Sequence, residues 1–200
     1  MKKIPMLLIW SRLVIGLFLI AFSLSHSGLF SSVAIILITI GLLTDIFDGI
    51  IARRLNISTT HLRRLDSIID QIFWISIAIA CYIRYPDFFH TNKIKLIILV
   101  SIEILTYIIS YLRFKKEVAT HAISSKLWTL ILFATLIQLI ATSSSTFLFN
   151  ICFIVGVITR IEIISILLLI RRWTNDIPSV YHAVLLRKGK TIKRNKLFNG

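Results

Sequence analysis

The sequence has little of what a water-soluble protein needs. Only 16% of its 200 residues are charged, against about 25% in a soluble domain, which must maintain a solvated shell. Acidic residues are scarcest, nine against 23 lysines and arginines. The two cysteines, Cys81 and Cys152, both fall inside long apolar stretches, which argues against a disulfide framework or a paired-cysteine metal site. Internal repeats and low-complexity segments are absent. No small-residue cleavage site follows the first apolar stretch, and Arg12 interrupts it, so a cleaved signal peptide is not expected. What is abundant is apolar: 56% of the chain, with a mean hydropathy of +0.86. Over most of its length the solvent of this chain must be lipid.

A helix crossing the hydrocarbon core needs about 20 mostly apolar residues. Residues 13–44 contain no charged side chain, too long a run for one span, and the small and polar stretch Ser23 to Ser32 divides it. This gives helices over Ile4 to Leu24 and Leu29 to Ala52. A third runs from Leu65 to Tyr85; its uncharged part, Gln71 to Ile83, is too short to span, so Asp66 and Asp70 belong to the helix. A fourth covers Ile94 to Leu112, with Glu103 near its middle. The uncharged run Leu127 to Thr159 is divided at Thr142 to Thr146, giving Ile123 to Ala141 and Phe147 to Ile170. The expected fold is all-α, a polytopic integral membrane protein with six transmembrane helices in residues 1–172 and a basic tail over 173–200.

Six spans put both termini on one side. That side holds 19 of the 23 basic residues, while Arg84, Lys93 and Lys95 fall on the other around a single loop. The positive-inside rule then places both termini in the cytoplasm. The net charge of +14 therefore reads as a belt facing anionic membrane lipids rather than as a nucleic-acid surface.

Four of the nine acids are Asp45, Asp48, Asp66 and Asp70. A carboxylate in a spanning helix costs several kcal/mol unless it is paired, hydrated or bound to metal, and so marks a candidate site. At about 100° per residue, Asp45, Asp48 and Ala52 share one stripe of the second helix, with Gly49 beside it. Asp66 and Asp70 share one face of the third. The short connection Arg53 to Arg64 makes the two helices antiparallel neighbours with the carboxylate pairs facing each other at the cytoplasmic end. Four converging carboxylates repel, and hard oxygen ligands suit Mg²⁺ or Mn²⁺. A simpler arrangement pairs the aspartates with Arg53, Arg54, Arg63 and Arg64.

The stretch Asp45-Ile-Phe-Asp48-Gly49-Ile-Ile-Ala52-Arg53, followed by Asp66-Ser-Ile-Ile-Asp70, resembles the signature of the CDP-alcohol phosphatidyltransferases, D-x-x-D-G-x-x-A-R, eight residues, G-x-x-x-D-x-x-x-D. Seven of its eight fixed positions match at the correct spacing; the family's second glycine falls on Leu62. The resemblance implies transfer of a phosphatidyl group from CDP-diacylglycerol to a small polar alcohol, glycerol 3-phosphate being the first expectation and serine or inositol phosphate the others, with release of CMP. By the same resemblance Asp45, Asp48 and Asp66 hold Mg²⁺ or Mn²⁺ on the pyrophosphate, and Asp70 joins them and acts as general base. Asp45, Gly49, Ala52 and Arg53 face the nucleotide, and a homodimer in a bacterial inner membrane, with its active site toward the cytoplasm, is expected. The competing class is a transporter or divalent-cation channel lined by the same aspartates, although its carboxylates would all sit at one end.

Other polar residues rank lower. Arg12 in the first helix reads equally as a substrate-phosphate ligand and as a snorkelling cation. His121, Ser125 and Lys126 open the fifth span, where a helix N-terminus favours an anion such as the acceptor's phosphate. Arg160 and Glu162 in the sixth span and Glu103 in the fourth are costly in lipid, and an interhelical ion pair is the expected arrangement. The tail contains a candidate interfacial helix, Ser179 to Leu186, and six basic residues between Arg187 and Lys196.

Overall fold

The computed structural model describes residues 4–25, 27–54, 60–116, 118, 120 and 122–192, without the side chains of Ala52, Arg53, Arg54, Thr60, His61 and Arg63. Among the described residues it is all-α: α1 (Ile4–Leu24), α2 (Phe30–Arg54), α3 (Thr60–Arg84), α4 (Pro86–Thr91), α5 (Lys93–Phe114), α6 (Ile123–Thr142), α7 (Thr146–Leu169) and α8 (Val180–Arg187). Six of these are long and apolar enough to cross a membrane, and the chain is an integral membrane protein. The expected spans are present. The main differences are that α3 begins five residues early, at Thr60, and that a short helix, α4, follows it.

The chain divides into two compact units: Met1–Thr91 with Ile137–Ser144, and Asn92–Leu136 with Ser145–Gly200. In the first, α1 packs against both α2 and α3. Its buried residues, Pro5, Ile9, Arg12, Gly16, Leu19 and Ser23, recur every three or four positions and form one stripe. Gly16 lets α1 approach α3 closely, since a Cβ there would lie 3.1 Å from that of Ser76. On α2, Phe30, Ala34, Ile38, Gly41, Asp45 and Asp48 follow the same spacing, and Gly41 leaves the space that the ring of Phe73 fills. At the end of α3 away from its aspartates, Tyr85 donates its hydroxyl to Ile140 O (3.1 Å) and lies 3.2 Å from the Ser31 hydroxyl. Arg84 there donates to Ser27 O (3.2 Å) and lies over the Phe30 ring.

In the second unit α5 packs against α7 and α7 against α8. Lys95 donates to Asn150 Oδ1 (2.5 Å). Deeper in the same helices Arg160 Nε pairs with Glu103 Oε2, and its guanidinium also lies over the Trp128 ring. The expected interhelical ion pair is present, formed with Arg160. Pairing is what makes two charged groups tolerable in an apolar span. Trp128 in turn donates its indole N–H to Cys152 O (3.1 Å), in space left by Gly156.

Hydroxyls in the spans fold back on their own helices: Thr39 to Ile35 O, Thr44 to Gly41 O, Ser76 to Ile72 O, Thr106 to Ile102 O and Thr135 to Ile131 O, each 2.7 Å. With no water in the bilayer core, an i−3 or i−4 carbonyl is the nearest acceptor.

Replacing Gly41 by valine puts a Cβ into the Phe73 ring. Overpacking of this kind costs about 1–3 kcal/mol, so Gly41→Val should lower the thermal unfolding midpoint in detergent, and Phe73→Ala in that background should recover part of the loss. An unchanged midpoint would show that α2 and α3 do not meet there.

Candidate functional site

The four aspartates converge, and the group at their centre is Arg12. The carboxylates come from α2 and α3 at the spacings that put each pair on one face. α1 brings the cation, because Arg12 lies on the same buried stripe as Gly16, where α1 and α3 are closest. Nη1 donates to Asp45 Oδ1 (2.6 Å) and to Asp70 Oδ1, and Nη2 donates to Asp48 Oδ2 (2.5 Å) and to Asp66 Oδ1. One guanidinium thus reaches one oxygen on each of the four carboxylates. Arg12 is 0% exposed and Asp48 3%; the Asp45, Asp66 and Asp70 side chains are 36, 32 and 28% exposed. The cluster therefore has a closed floor at Arg12 and Asp48 and an open side at the other three.

Electrostatics makes this arrangement incomplete. Among the described contacts four carboxylates share one guanidinium, and a carboxylate at the margin of an apolar layer calls for a positive partner. Oxygens of Asp45, Asp48 and Asp66 lie within 4.8 Å of one another. An octahedral Mg²⁺ holds its ligands at about 2.1 Å, opposite oxygens about 4.2 Å apart and adjacent ones closer, so the three must draw inward to share one cation. Arg12 occupies one oxygen of each carboxylate, and a carboxylate has a second with which to meet another cation. The donor set, all hard oxygens, suits Mg²⁺ or Mn²⁺.

The remaining sequence-predicted residues are placed as follows. Gly49 is half-buried on α2 next to Asp48. Ala52 and Arg53 lie in the last turn of α2, and their side chains are outside the described residues, as are those of Arg54 and Arg63. Leu62 is half-buried in the first turn of α3. His121 lies outside the described residues. Ser125 and Lys126 are in the first turn of α6. Ser125 donates its hydroxyl to Ala122 O (2.6 Å) and would have to rotate to donate to a phosphate, while Lys126 is exposed.

Sequence reasoning weighed Arg12 as a phosphate ligand or a snorkelling cation. Full burial rules out snorkelling, and the contacts with all four carboxylates were missed. The available signal was spacing: Arg12 and Gly16 are one turn apart, so a close helix approach at one carries the other inward. Arg12 Nε is buried with no hydrogen-bond partner among the described residues.

Compared with known proteins, residues 2–173 match the family model described as CDP-alcohol phosphatidyltransferase. No curated protein and no solved structure gives a significant match.

Removing the guanidinium leaves the buried Asp48 without this partner, a change that costs about 3–5 kcal/mol in comparable buried pairs. Arg12→Ala should therefore unfold at a lower temperature than the parent in chelator, and millimolar Mg²⁺ or Mn²⁺ should raise its midpoint more than the parent's. Equal midpoints in chelator would mean that Arg12 does not hold the carboxylates together.

Proposed function

Since the chain belongs to the CDP-alcohol phosphatidyltransferase family, we propose that it transfers a phosphatidyl group from CDP-diacylglycerol to a small polar alcohol, glycerol 3-phosphate first among the candidates, and releases CMP. The observation that carries this reading is the convergence of all four motif carboxylates at one point.

In the reaction the acceptor hydroxyl oxygen forms a bond to the phosphorus that bears diacylglycerol. The bond from that phosphorus to the oxygen bridging it to CMP breaks, and CMP leaves with the electron pair. Asp45, Asp48, Asp66 and Asp70 would hold Mg²⁺ or Mn²⁺, which supplies positive charge to the phosphoryl oxygens and the leaving phosphate. Asp70 takes the acceptor's proton. It is partly exposed, and as a base it relies on position beside the reacting hydroxyl rather than on unusual basicity. Arg12 keeps the four carboxylates gathered.

Gly49 and Ala52 are small where the nucleotide approaches α2, and Arg53 is assigned to its phosphate or ribose. Lys126, with His121 and Ser125, is assigned to the acceptor's phosphate. Both termini and the aspartates are assigned to the cytoplasmic side on the distribution of basic residues. A bacterial inner membrane and a homodimeric state complete the reading.

Purified protein with Mg²⁺ or Mn²⁺ should release CMP from CDP-diacylglycerol when an acceptor is supplied, and a panel of alcohols scored by lipid product should identify that acceptor. Asp70→Asn should lower kcat by about 10²–10⁴-fold, the usual contribution of a positioned base. Absence of metal-dependent CMP release across the whole panel would contradict the reading. Leu62→Gly, which restores the family's small residue, should raise activity; a fall would mean that the leucine belongs to a distinct donor site.

A further inference from the structure

The last of the described helices builds a second charged feature. α7 stops at Leu169, and Ile170 leaves it in extended conformation (φ −71°, ψ 142°). Arg113 donates to Ile170 O (3.0 Å), capping that end with a cation as a helix C-terminus favours. The chain then returns as α8, held down by an apolar cluster in which Ile163, Ile166, Leu167 and Ile170 meet Ile177 and Ala183. Pro178 O also accepts from Ile123 N (3.1 Å), tying the segment before α8 to the start of α6. α8 is thus fixed against the end of α7.

α8 closes on itself at its far end. Lys188 N donates to Val184 O and Leu185 O, Gly189 N to Leu186 O and Lys190 N to Leu185 O. Gly189 takes the positive φ of +75° that this turn requires.

Between the end of α7 and the end of α8 lies a cleft of about 500 Å³. Its rim is Arg171, Arg172, Arg187 and Lys188, its floor includes Ile170 and Leu186, and no carboxylate lines it. All four cations are exposed and none makes an ion pair among the described residues. Packing α8 down therefore gathers four like charges around one opening. No carboxylate among the described residues lines the opening, and an anion there would relieve the mutual repulsion of the cations.

The chemistry of the lining identifies the anion. Guanidinium groups bind phosphate through paired N–H donors, and an ammonium adds a point charge. An apolar floor beside a cationic rim, at the end of a membrane-spanning helix, matches a phosphate attached to a lipid. Most of this cleft also lies past residue 173, where the family match ends.

We propose that the cleft between α7 and α8 is a phosphate-binding site whose occupant is the headgroup of an anionic phospholipid or a free phosphate compound. Arg171, Arg172, Arg187 and Lys188 hold the phosphate, and Ile170 and Leu186 meet the apolar part adjoining it.

The test titrates the full-length protein in neutral detergent with short-chain phosphatidylglycerol, followed by native mass spectrometry, with short-chain phosphatidylcholine as the zwitterionic control. Saturable binding of phosphatidylglycerol is expected, weakened at least tenfold by combined Arg171→Gln, Arg172→Gln, Arg187→Gln and Lys188→Gln. The pair Arg187→Glu and Lys188→Glu, both exposed at the end of α8, should weaken it similarly and guards against a folding defect in the fourfold variant. Neutralising Lys115, Lys116 and Lys190 should change it less than threefold. Inorganic phosphate and glycerol 3-phosphate, added as competitors, separate the two sources: competition at low millimolar concentration assigns a free phosphate compound, and its absence assigns the lipid headgroup. Unchanged binding in both cleft variants, or an equal loss on neutralising the three lysines, would overturn the proposal.

Discussion

Everything in the first unit is arranged around one buried guanidinium. A charge in an apolar span is tolerated only where partners surround it, and Arg12 has four, one oxygen from each of Asp45, Asp48, Asp66 and Asp70. Without metal it holds the carboxylates together, and they in turn make its burial tolerable. The small residues follow from this constraint: Gly16 brings α1 onto α3, and Gly41 lets Phe73 fill the space between α2 and α3. The hydrogen bonds of Tyr85 and Arg84 hold the other end of the same helices. The excess of negative charge that remains is the property a divalent cation and a pyrophosphate-bearing substrate would use.

The second unit answers the same constraint differently. Glu103 and Arg160, half-buried within its spans, pair one to one, and Trp128 packs against the guanidinium. A balanced pair has no remaining demand for an ion, and it serves as a clasp between α5 and α7. Its exposed cationic cluster lies where α7 and α8 end. A local gathering of carboxylates in one unit and of cations in the other is the basis of the two proposed anion-related chemistries, one acting through a metal and one direct.

Much of this was legible in the sequence because it follows from local periodicity. The length of uncharged runs located all six spans, and the spacing of Asp45 with Asp48 and of Asp66 with Asp70 put each pair on one face. The partner of those aspartates was not legible. Arg12 is 33 to 58 residues away from them, and only the packing of α1 between its neighbours brings it in. The expected hairpin, with its carboxylate pairs facing each other directly, therefore lacked its central element. α4 was missed because six residues are too few to display a period. The helix expected over Ser179 to Leu186 is found as Val180–Arg187, but its cleft depends on contacts with α7 that no local pattern records. Those residues proposed to bind the acceptor that the structure describes, Ser125 and Lys126, were chosen for their place at a helix start, a weaker signal than a carboxylate in a span.

The central claim is that the carboxylate cluster is a divalent-cation site. Electron paramagnetic resonance of Mn²⁺ titrated into the purified protein measures this directly, without substrate or turnover. The account predicts saturable Mn²⁺ binding that Asp48→Asn abolishes and Asp87→Asn, on exposed α4, leaves intact. Mn²⁺ that stays free through the titration, or binding indifferent to Asp48→Asn, would contradict it.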